Sequence, residues 1–318
     1  MYMEKDSKEI DLQVREFSWK DIEKIFQIAV SAFEEDYKVI GSDKEDFKRA
    51  FTPYRIGKWI QKIARNEYFK FYVGEINKNV VAVILMDRRG DYWYISTVMV
   101  DERSRGKGYG KEILTIACRD TCTGDTDKLV LHVPESSPAA KNLYQSVGFR
   151  SFETVIQYWQ KCEHFKQDFP PGYHLTSVAV YCEQALSIID RCRCPSSSAV
   201  YGKSQLPPWY CRMLERIFQI GTNEQYALTY GGQWAGIARV YAPHEKEGAA
   251  VIPFDVLPEY RGNGLEEALL KWGLTKGFTL GLPRLVVQVN QEYTQLVEAC
   301  EALDFATLEV LEGMVKQC

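Results

Sequence analysis

The chain repeats itself. Arg105-Gly106-Lys107-Gly108 recurs as Arg261-Gly262-Asn263-Gly264, a step of 156 residues. The apolar run Leu129–Val133 recurs as Leu285–Val289 at the same step, and Gly148-Phe149 recurs as Asp304-Phe305. Three landmarks in one register with no net gap mark a duplicated unit. A chain of 318 residues has room for two such units, each with a core of its own. Whatever the first half builds, the second must build as well. The joint is placed at 162–173, where Pro170, Pro171 and Gly172 stop regular structure, giving units over 1–165 and 172–318. A second break, at 194–209 with Pro195, Pro207 and Pro208, reads as a loop inside the second unit.

Strand patterns in the first unit cover Leu12–Phe17, Phe69–Glu75, Val80–Met86, Trp93–Val100, Leu129–Val133 and Phe152–Gln160. Helical patterns run from Trp19 to about Tyr37, and over Lys44–Arg65 with Pro53 as a point of interruption. Two more follow, one after the glycine corner to about Cys118 and one over Pro138–Ser146. A run of strands followed by two late β-α units predicts a mixed sheet of the α/β or α+β class.

Composition excludes several functions. A formal net charge of −4 argues against a general nucleic-acid binder. No apolar run approaches the ~20 residues of a membrane helix, and the first residues lack the apolar core of a secretion signal. The nine cysteines form no C-x-x-C, and an odd count predicts free thiols in a reducing cytoplasm. His132, His164, His174 and His244 show no ligand spacing, so no bound metal is expected.

The corner at 103–114, R-S-R-G-K-G-Y-G-K-E-I-L, joins a strand to a helix. Glycines let the backbone approach a ligand closely, and successive N–H groups entering a helix converge on one point of partial positive charge. Arg103, Arg105, Lys107 and Lys111 add full charges, so the corner suits a phosphate or pyrophosphate. It is not a P-loop, because Gly106 and Gly110 stand one residue too close and Glu112 replaces the Ser or Thr. It is not G-x-G-x-x-G either, since the glycines fall at 106, 108 and 110.

The remaining pattern, R-x-x-G-x-G at Arg105, Gly108 and Gly110, resembles the pyrophosphate motif of the GNAT superfamily of acetyl-CoA-dependent N-acetyltransferases. V-M-V at 98–100 resembles the strand that pairs with pantetheine, and A-A-K-N-L-Y-Q-S-V-G-F at 139–149 resembles a later helix of that family. The resemblance implies two tandem GNAT-like acyl-CoA N-acyltransferase domains. It implies that Val98, Met99, Val100, Arg105, Gly106, Lys107, Gly108, Tyr109, Gly110 and Lys111 hold acetyl-CoA as cosubstrate. Val98 and Val100 would offer backbone groups to pantetheine, and an N–H at Met99 or Val100 would polarise the thioester carbonyl. Tyr144 matches the family tyrosine that protonates the leaving thiolate. The family often has Asn where Ser137 stands, so one cofactor contact differs.

Such a site needs a base for the amine. Plain alternation puts Tyr92, Tyr94, Ser96, Val98 and Val100 on one face, which carries no carboxylate. Glu135 is the candidate chosen, with His132 or a water chain bounded by Tyr94 and Ser96 as alternatives. Glu34, Glu35, Asp36, Asp43, Glu45 and Asp46, with Tyr37, make the loop between the first two helices acidic and suggest a cationic acceptor. The expected partner is a small-molecule or peptide amine, with no nucleic acid and no membrane. The alternative function is a non-catalytic acyl-CoA-binding or scaffold protein.

In the second unit Gly110 becomes Glu266, Lys111 becomes Glu267, Lys107 becomes Asn263 and Tyr144 becomes Cys300. Two carboxylates at the pyrophosphate position repel that ligand. Pro253 takes the place of Thr97 and removes an N–H. The second unit is read as a degenerate copy that keeps the fold, with Cys300 a buried, inert thiol.

Overall fold

The computed structural model describes residues 12–32, 44–64, 67–122, 128–218, 221–242 and 248–318. The acidic loop, with Glu34, Glu35, Asp36, Tyr37 and Asp43, lies outside them, as do the side chains of Glu45 and Asp46.

The first copy builds β1 (Gln13–Glu16), α1 (Ile22–Ala32), α2 (Lys44–Ala64), β2 (Phe69–Ile76), β3 (Asn79–Arg89) and β4 (Tyr92–Val100). It continues with α3 (Tyr109–Thr121), β5 (Lys128–Pro134), α4 (Pro138–Ser146) and β6 (Arg150–Lys161). The second copy follows with β7 (Tyr173–Val178), α5 (Glu183–Cys192), α6 (Pro195–Val200), α7 (Trp209–Phe218), β8 (Thr222–Tyr230) and β9 (Gln233–Ala242). Its remaining elements are β10 (Ala249–Val251), β11 (Phe254–Val256), α8 (Leu265–Thr279), β12 (Arg284–Asn290), α9 (Thr294–Ala302) and β13 (Ala306–Gln317). Strands β5 and β12, helices α4 and α9, and strands β6 and β13 begin 156 residues apart, the step read from the sequence.

Two local expectations change. Helix α2 runs through Pro53 without a break in its assignment. The segment after Cys194 is not all loop, because Pro195 occupies the first turn of α6, where its missing N–H costs nothing.

The strands form one sheet in the order β1-β2-β3-β4-β5-β13-β6-β12-β10-β9-β8-β7, with β11 on β9. The two copies exchange their last strands. Strand β13 of the second copy pairs antiparallel with β5, Gly313 opposite His132, and β6 of the first copy pairs antiparallel with β12, Val155 opposite Asn290. The exchanged strands also pair with each other, Arg150 opposite Val315 and Trp159 opposite Ala306. Residue 150 therefore faces the repeat of residue 159, and 159 faces the repeat of 150, a local two-fold relation. Every edge at the centre of the molecule is paired by strands of the other copy, so neither boundary in sequence cuts the sheet cleanly.

In the first copy one face of the sheet carries α3 and α4, with Ile113, Leu114, Ala117 and Tyr144 packed on Ile84, Met86, Ile95 and Leu131. The other carries α1 and α2, with Ile25, Ile28 and Tyr54 packed on Phe71, Val73 and Val83. Gly57 of α2 lies against Leu214 of α7, so the helices of the two copies meet there.

Strand exchange also corrects the cysteine expectation. Cys122 at the end of α3 and Cys318 after β13 form a disulfide with Cα atoms 5.2 Å apart. They are 196 residues apart in sequence, and only the intrusion of β13 brings them together. Cys118, Cys162, Cys182, Cys192, Cys194, Cys211 and Cys300 are free. Burial pushes the Cys300 thiol up to about 12, as expected of an inert core cysteine.

A fragment ending at residue 165 keeps β6 but loses β13, leaving β5 without its neighbour. Its expected behaviour in size-exclusion chromatography is self-association or aggregation; a folded, monodisperse monomer would contradict the exchange.

Candidate active site

Strands β4 and β5 run parallel and pair only at Tyr92–Lys128, Trp93–Leu129 and Tyr94–Val130. Past Tyr94 they separate, and β4 stays paired with β3 alone. A gap thus opens through the sheet, with Tyr94 at its vertex. The second copy repeats this, since β10 pairs with β12 only over Ala249–Val251.

The glycine corner stands at the open end of the gap. A 3-10 turn at Glu102–Ser104 leads through Arg105 to Gly106 at φ +75° and Gly108 at φ +87°, which caps α3. Both angles lie in the left-handed region, where a Cβ is strained. Among the described residues, the backbone N–H groups of 106–111 have no acceptor. A Cβ on Gly110 would stand 3.3 Å from Val100 and 3.4 Å from Leu143, so glycine lets α3 close onto β4 and α4. Lys107 Nζ bonds the Arg103 carbonyl at 3.0 Å, and Lys111 is exposed.

Arg105 is placed otherwise than the sequence suggests. Its guanidinium turns back, Nε donating to the Val100 carbonyl at 3.2 Å and Nη2 to the Ser31 carbonyl at 3.5 Å. Arg261 does the same in the second copy, bonding the Val256 carbonyl at 2.9 Å and the Cys192 carbonyl at 2.7 Å. The arginine that both copies keep holds the corner to the preceding strand.

The two corners differ at the anion position. Glu266 is 2% exposed, and both of its carboxylate oxygens accept from Gly262 N at 3.0 Å. Tyr293 adds a hydroxyl donor at 2.9 Å. Burial and this carboxylate push the Tyr293 hydroxyl well above its ordinary value. The second corner is filled by its own carboxylate, whereas the first presents bare N–H groups.

The structure gathers Val98, Val100, Tyr109, Leu143 and Tyr144 on the α3/α4 face. Tyr144 packs edge-on against Phe149. Burial pushes its hydroxyl up to about 12, and Tyr94 adds to that shift, so it stays protonated at neutral pH as a proton donor must. Met99 points to the α1/α2 face.

The single-face expectation for β4 fails at Ser96. Leu85 pairs with Thr97 and Met86 with Ile95, so Ser96 is an extra residue, a bulge that reverses the alternation. Trp93, Ile95, Val98 and Val100 therefore pack on the α3/α4 face, and Tyr94 falls on the other.

Glu135 lies exposed in the turn after β5; only its backbone N–H is bonded among the described residues, to Val310 O at 2.9 Å. A buried carboxylate is brought to His132, beside the vertex of the gap, by Glu153 on β6, 9% exposed. Its Oε1 meets His132 Nε2 at 3.0 Å and the Tyr201 hydroxyl at 2.6 Å. Its Oε2 accepts from Asn290 Nδ2 at 2.9 Å and from the Ser197 hydroxyl. His132 Nδ1 lies 3.2 Å from the Tyr94 hydroxyl. Burial is the largest influence on Glu153 and raises its pKa, but hydrogen bonds from His132, Ser197 and Tyr201 more than offset it, so the carboxyl sits below its ordinary value.

Gly313 makes this reach possible. It lies between His132 and Glu153 across the sheet, and a Cβ there would come 2.6 Å from Glu153 Cγ. Sequence reading missed Glu153 because that contact crosses a strand from the other copy. Tyr94, His132, Glu153 and Tyr201 line a cavity of about 390 Å³. It shares Arg89, Arg193 and Arg239 with a groove of about 860 Å³ between the copies. Among the described residues, no group of three or more His, Cys, Asp or Glu could hold a metal ion, and no helix is long and apolar enough to cross a membrane.

The model of the acetyltransferase (GNAT) family matches residues 22–149 and again 193–305, together well over half of the chain. The chain belongs to the GNAT acetyltransferase family. Solved structures agree in fold along the whole length. A tandem GNAT protein from the clavulanic acid biosynthesis pathway is 14% identical with a TM-score of 0.62, covering 96% of this chain and 98% of its own. A GCN5-related N-acetyltransferase from Sphaerobacter thermophilus is 15% identical with a TM-score of 0.66, covering 96% and 95%. A candidate acetyltransferase from Pyrococcus horikoshii is 13% identical with a TM-score of 0.61, covering 100% of this chain and 93% of its own. At these identities the likeness is one of fold. No curated protein matches the chain.

Two outcomes follow from the Glu153 network. Gly313→Ala is expected to cost roughly 1–3 kcal/mol in urea unfolding, by overpacking against Glu153 and Phe152. Because the Glu153 carboxyl is depressed, its contribution is present above the unfolded value of about 4.3 and fades as pH falls through the folded one. Glu153→Gln should therefore show its largest stability deficit near neutral pH, shrinking below about pH 4; a deficit that grew on acidification would reverse the sign.

Proposed function

We propose that the protein is an N-acetyltransferase whose first copy binds acetyl-CoA and passes the acetyl group directly to a primary amine. The second copy keeps the fold and does not bind the cosubstrate. The observation that carries this is the contrast between the corners. The first offers unpartnered N–H groups at 106–111, and in the second Gly262 N already serves the buried Glu266 carboxylate. A diphosphate entering the second corner would have to displace an internal anion and its hydrogen bonds.

In the first copy the N–H groups of 106–111 would hold the pyrophosphate, and Lys107 and Lys111 would add charge beside it. The unpaired side of β4 past Tyr94 would receive pantetheine in the gap. Tyr144, on the α3/α4 face, would give the leaving sulfur its proton. The second copy bears on the first through the shared cavity, the exchanged strand and the hydrogen bonds of Ser197, Tyr201 and Asn290 to Glu153.

Calorimetric titration of the full chain with acetyl-CoA tests this. One site per chain is expected, in the first corner, and Gly108→Glu is expected to abolish it. Two sites in the parent protein would overturn the silence of the second copy, and no binding at all would overturn the transferase assignment. Glu266→Gly asks whether emptying the second corner is enough to open it.

A further inference from the structure

We propose that Tyr94, His132 and Glu153 form the proton relay that relieves the acceptor amine of its proton. This rests on the transferase function proposed above and supplies the base that β4 lacks.

Three observations point there. The first is position. The glycine corner and Tyr144 lie on the α3/α4 face, while Tyr94 lies on the opposite face at the vertex where β4 and β5 part. A thioester reaching into the gap from the corner would meet Tyr144 from one side and Tyr94 from the other. The second is directed polarity. A carboxylate only accepts, so Nε2 donates to Glu153, and Nδ1 is the nitrogen that faces the Tyr94 hydroxyl. The third is that the arrangement is absent from the silent copy. At the step of 156 residues, Tyr94 becomes Ala250, His132 becomes Gln288, and Gly313 corresponds to Gln157. Glu153 corresponds to Glu309, so where the corner is filled the carboxylate remains and the tyrosine and histidine that would connect it are missing.

The surroundings suit a relay. Glu153 is a positioning residue, fixed by Ser197, Tyr201 and Asn290 of the second copy. Phe152 covers the imidazole edge-on, and Gly313 of β13 contributes no side chain between the two groups. On the β3 side the Arg89 guanidinium lies 3.7 Å from the centre of the Tyr94 ring and pairs with Asp87 at 2.6 Å. Arg193 and Arg239 line the same cavity. The second copy thus serves the first by anchoring the end of its relay.

The proton balance closes. The acceptor ammonium gives one proton to the Tyr94 oxygen as the Tyr94 proton moves to His132 Nδ1. The imidazolium so formed keeps its Nε2 proton toward Glu153. The nitrogen lone pair bonds to the acyl carbon, the carbon–sulfur bond breaks, and its electron pair leaves on sulfur. Tyr144 gives the sulfur a proton and regains one from the nitrogen through solvent. The proton held on His132 returns to solvent after turnover.

The test uses the full chain with acetyl-CoA and four amines: spermidine, glucosamine, a lysine peptide and a peptide with a free N-terminus. Thiol release is followed from pH 6 to pH 9.5. His132→Gln, Tyr94→Phe and Glu153→Gln are expected to lower kcat about 10²-fold near neutrality, with acetyl-CoA affinity by calorimetry unchanged. The deficit should shrink as pH rises and the amine loses its proton to solvent, which a merely structural defect would not do. Nitrogen NMR of the parent's imidazole should place the proton on Nε2, and Glu153→Gln should release that preference even without turnover. Tyr94→Phe keeps the packing, so it stands if Glu153→Gln fails to fold. Variants within two-fold of the parent, a deficit equal at every pH, or a loss in Glu135→Gln in their place would overturn the relay and leave the transferase intact. A parent that binds acetyl-CoA but acetylates none of the four amines would overturn the relay as well. A parent that binds none would overturn the transferase function itself.

Discussion

The pairing of β6 with β13 is the interaction on which the rest of the molecule depends. Each is the last strand of its copy, and each lies between its partner and a strand of the other copy, β13 beside β5 and β6 beside β12. A sheet edge is a row of unpaired donors and acceptors, and the exchange removes that edge from both copies at once. It also fixes the relative position of the two halves by backbone register, which leaves less freedom than a side-chain interface between separate domains would. The Cys122–Cys318 disulfide, the reach of Glu153 over Gly313, and the cavity between the copies are all consequences of that register.

Within this frame a single change at the corner has a large effect. One substitution, Gly110 to Glu266, puts a carboxylate where an anionic ligand would lie, and the fold accommodates it by supplying Gly262 N and Tyr293 as donors. A buried carboxylate without those donors would be costly; with them it is a built-in occupant. The arginine at the start of the corner survives in both copies because it ties the corner to the preceding strand, a need independent of any ligand. Arg105 and Arg261 thus mark what the fold requires of the corner, and Gly110 and Glu266 mark where the two corners part.

The relation between the halves has a chemical side as well. Ser197, Tyr201 and Asn290 belong to the second copy, yet their hydrogen bonds hold the carboxylate that faces His132 of the first. A carboxylate anchored by several donors has little freedom to turn, and it orients the histidine it faces. What the second copy supplies to this network is position.

The sequence by itself determined the duplication, the mixed sheet, most element positions and the corner, since these rest on local periodicity and on a repeat step of 156 residues that needs no tertiary information. Glu266 as the residue that sets the second corner apart was legible in the same way, by comparing two copies in one register. The structure alone decided three things. The bulge at Ser96 turned Tyr94 to the face opposite Val98, because one extra residue reverses an alternation of period two. Glu153 came to meet His132, and Glu135 lies in an exposed turn, because a side chain's neighbours across a sheet are set by strand order and not by distance along the chain. Two cysteines 196 residues apart became bonded for the same reason. Strand order at the centre of this sheet follows from long-range pairing between two similar halves, and no local pattern tells a last strand whether to pair with its own copy or with the other.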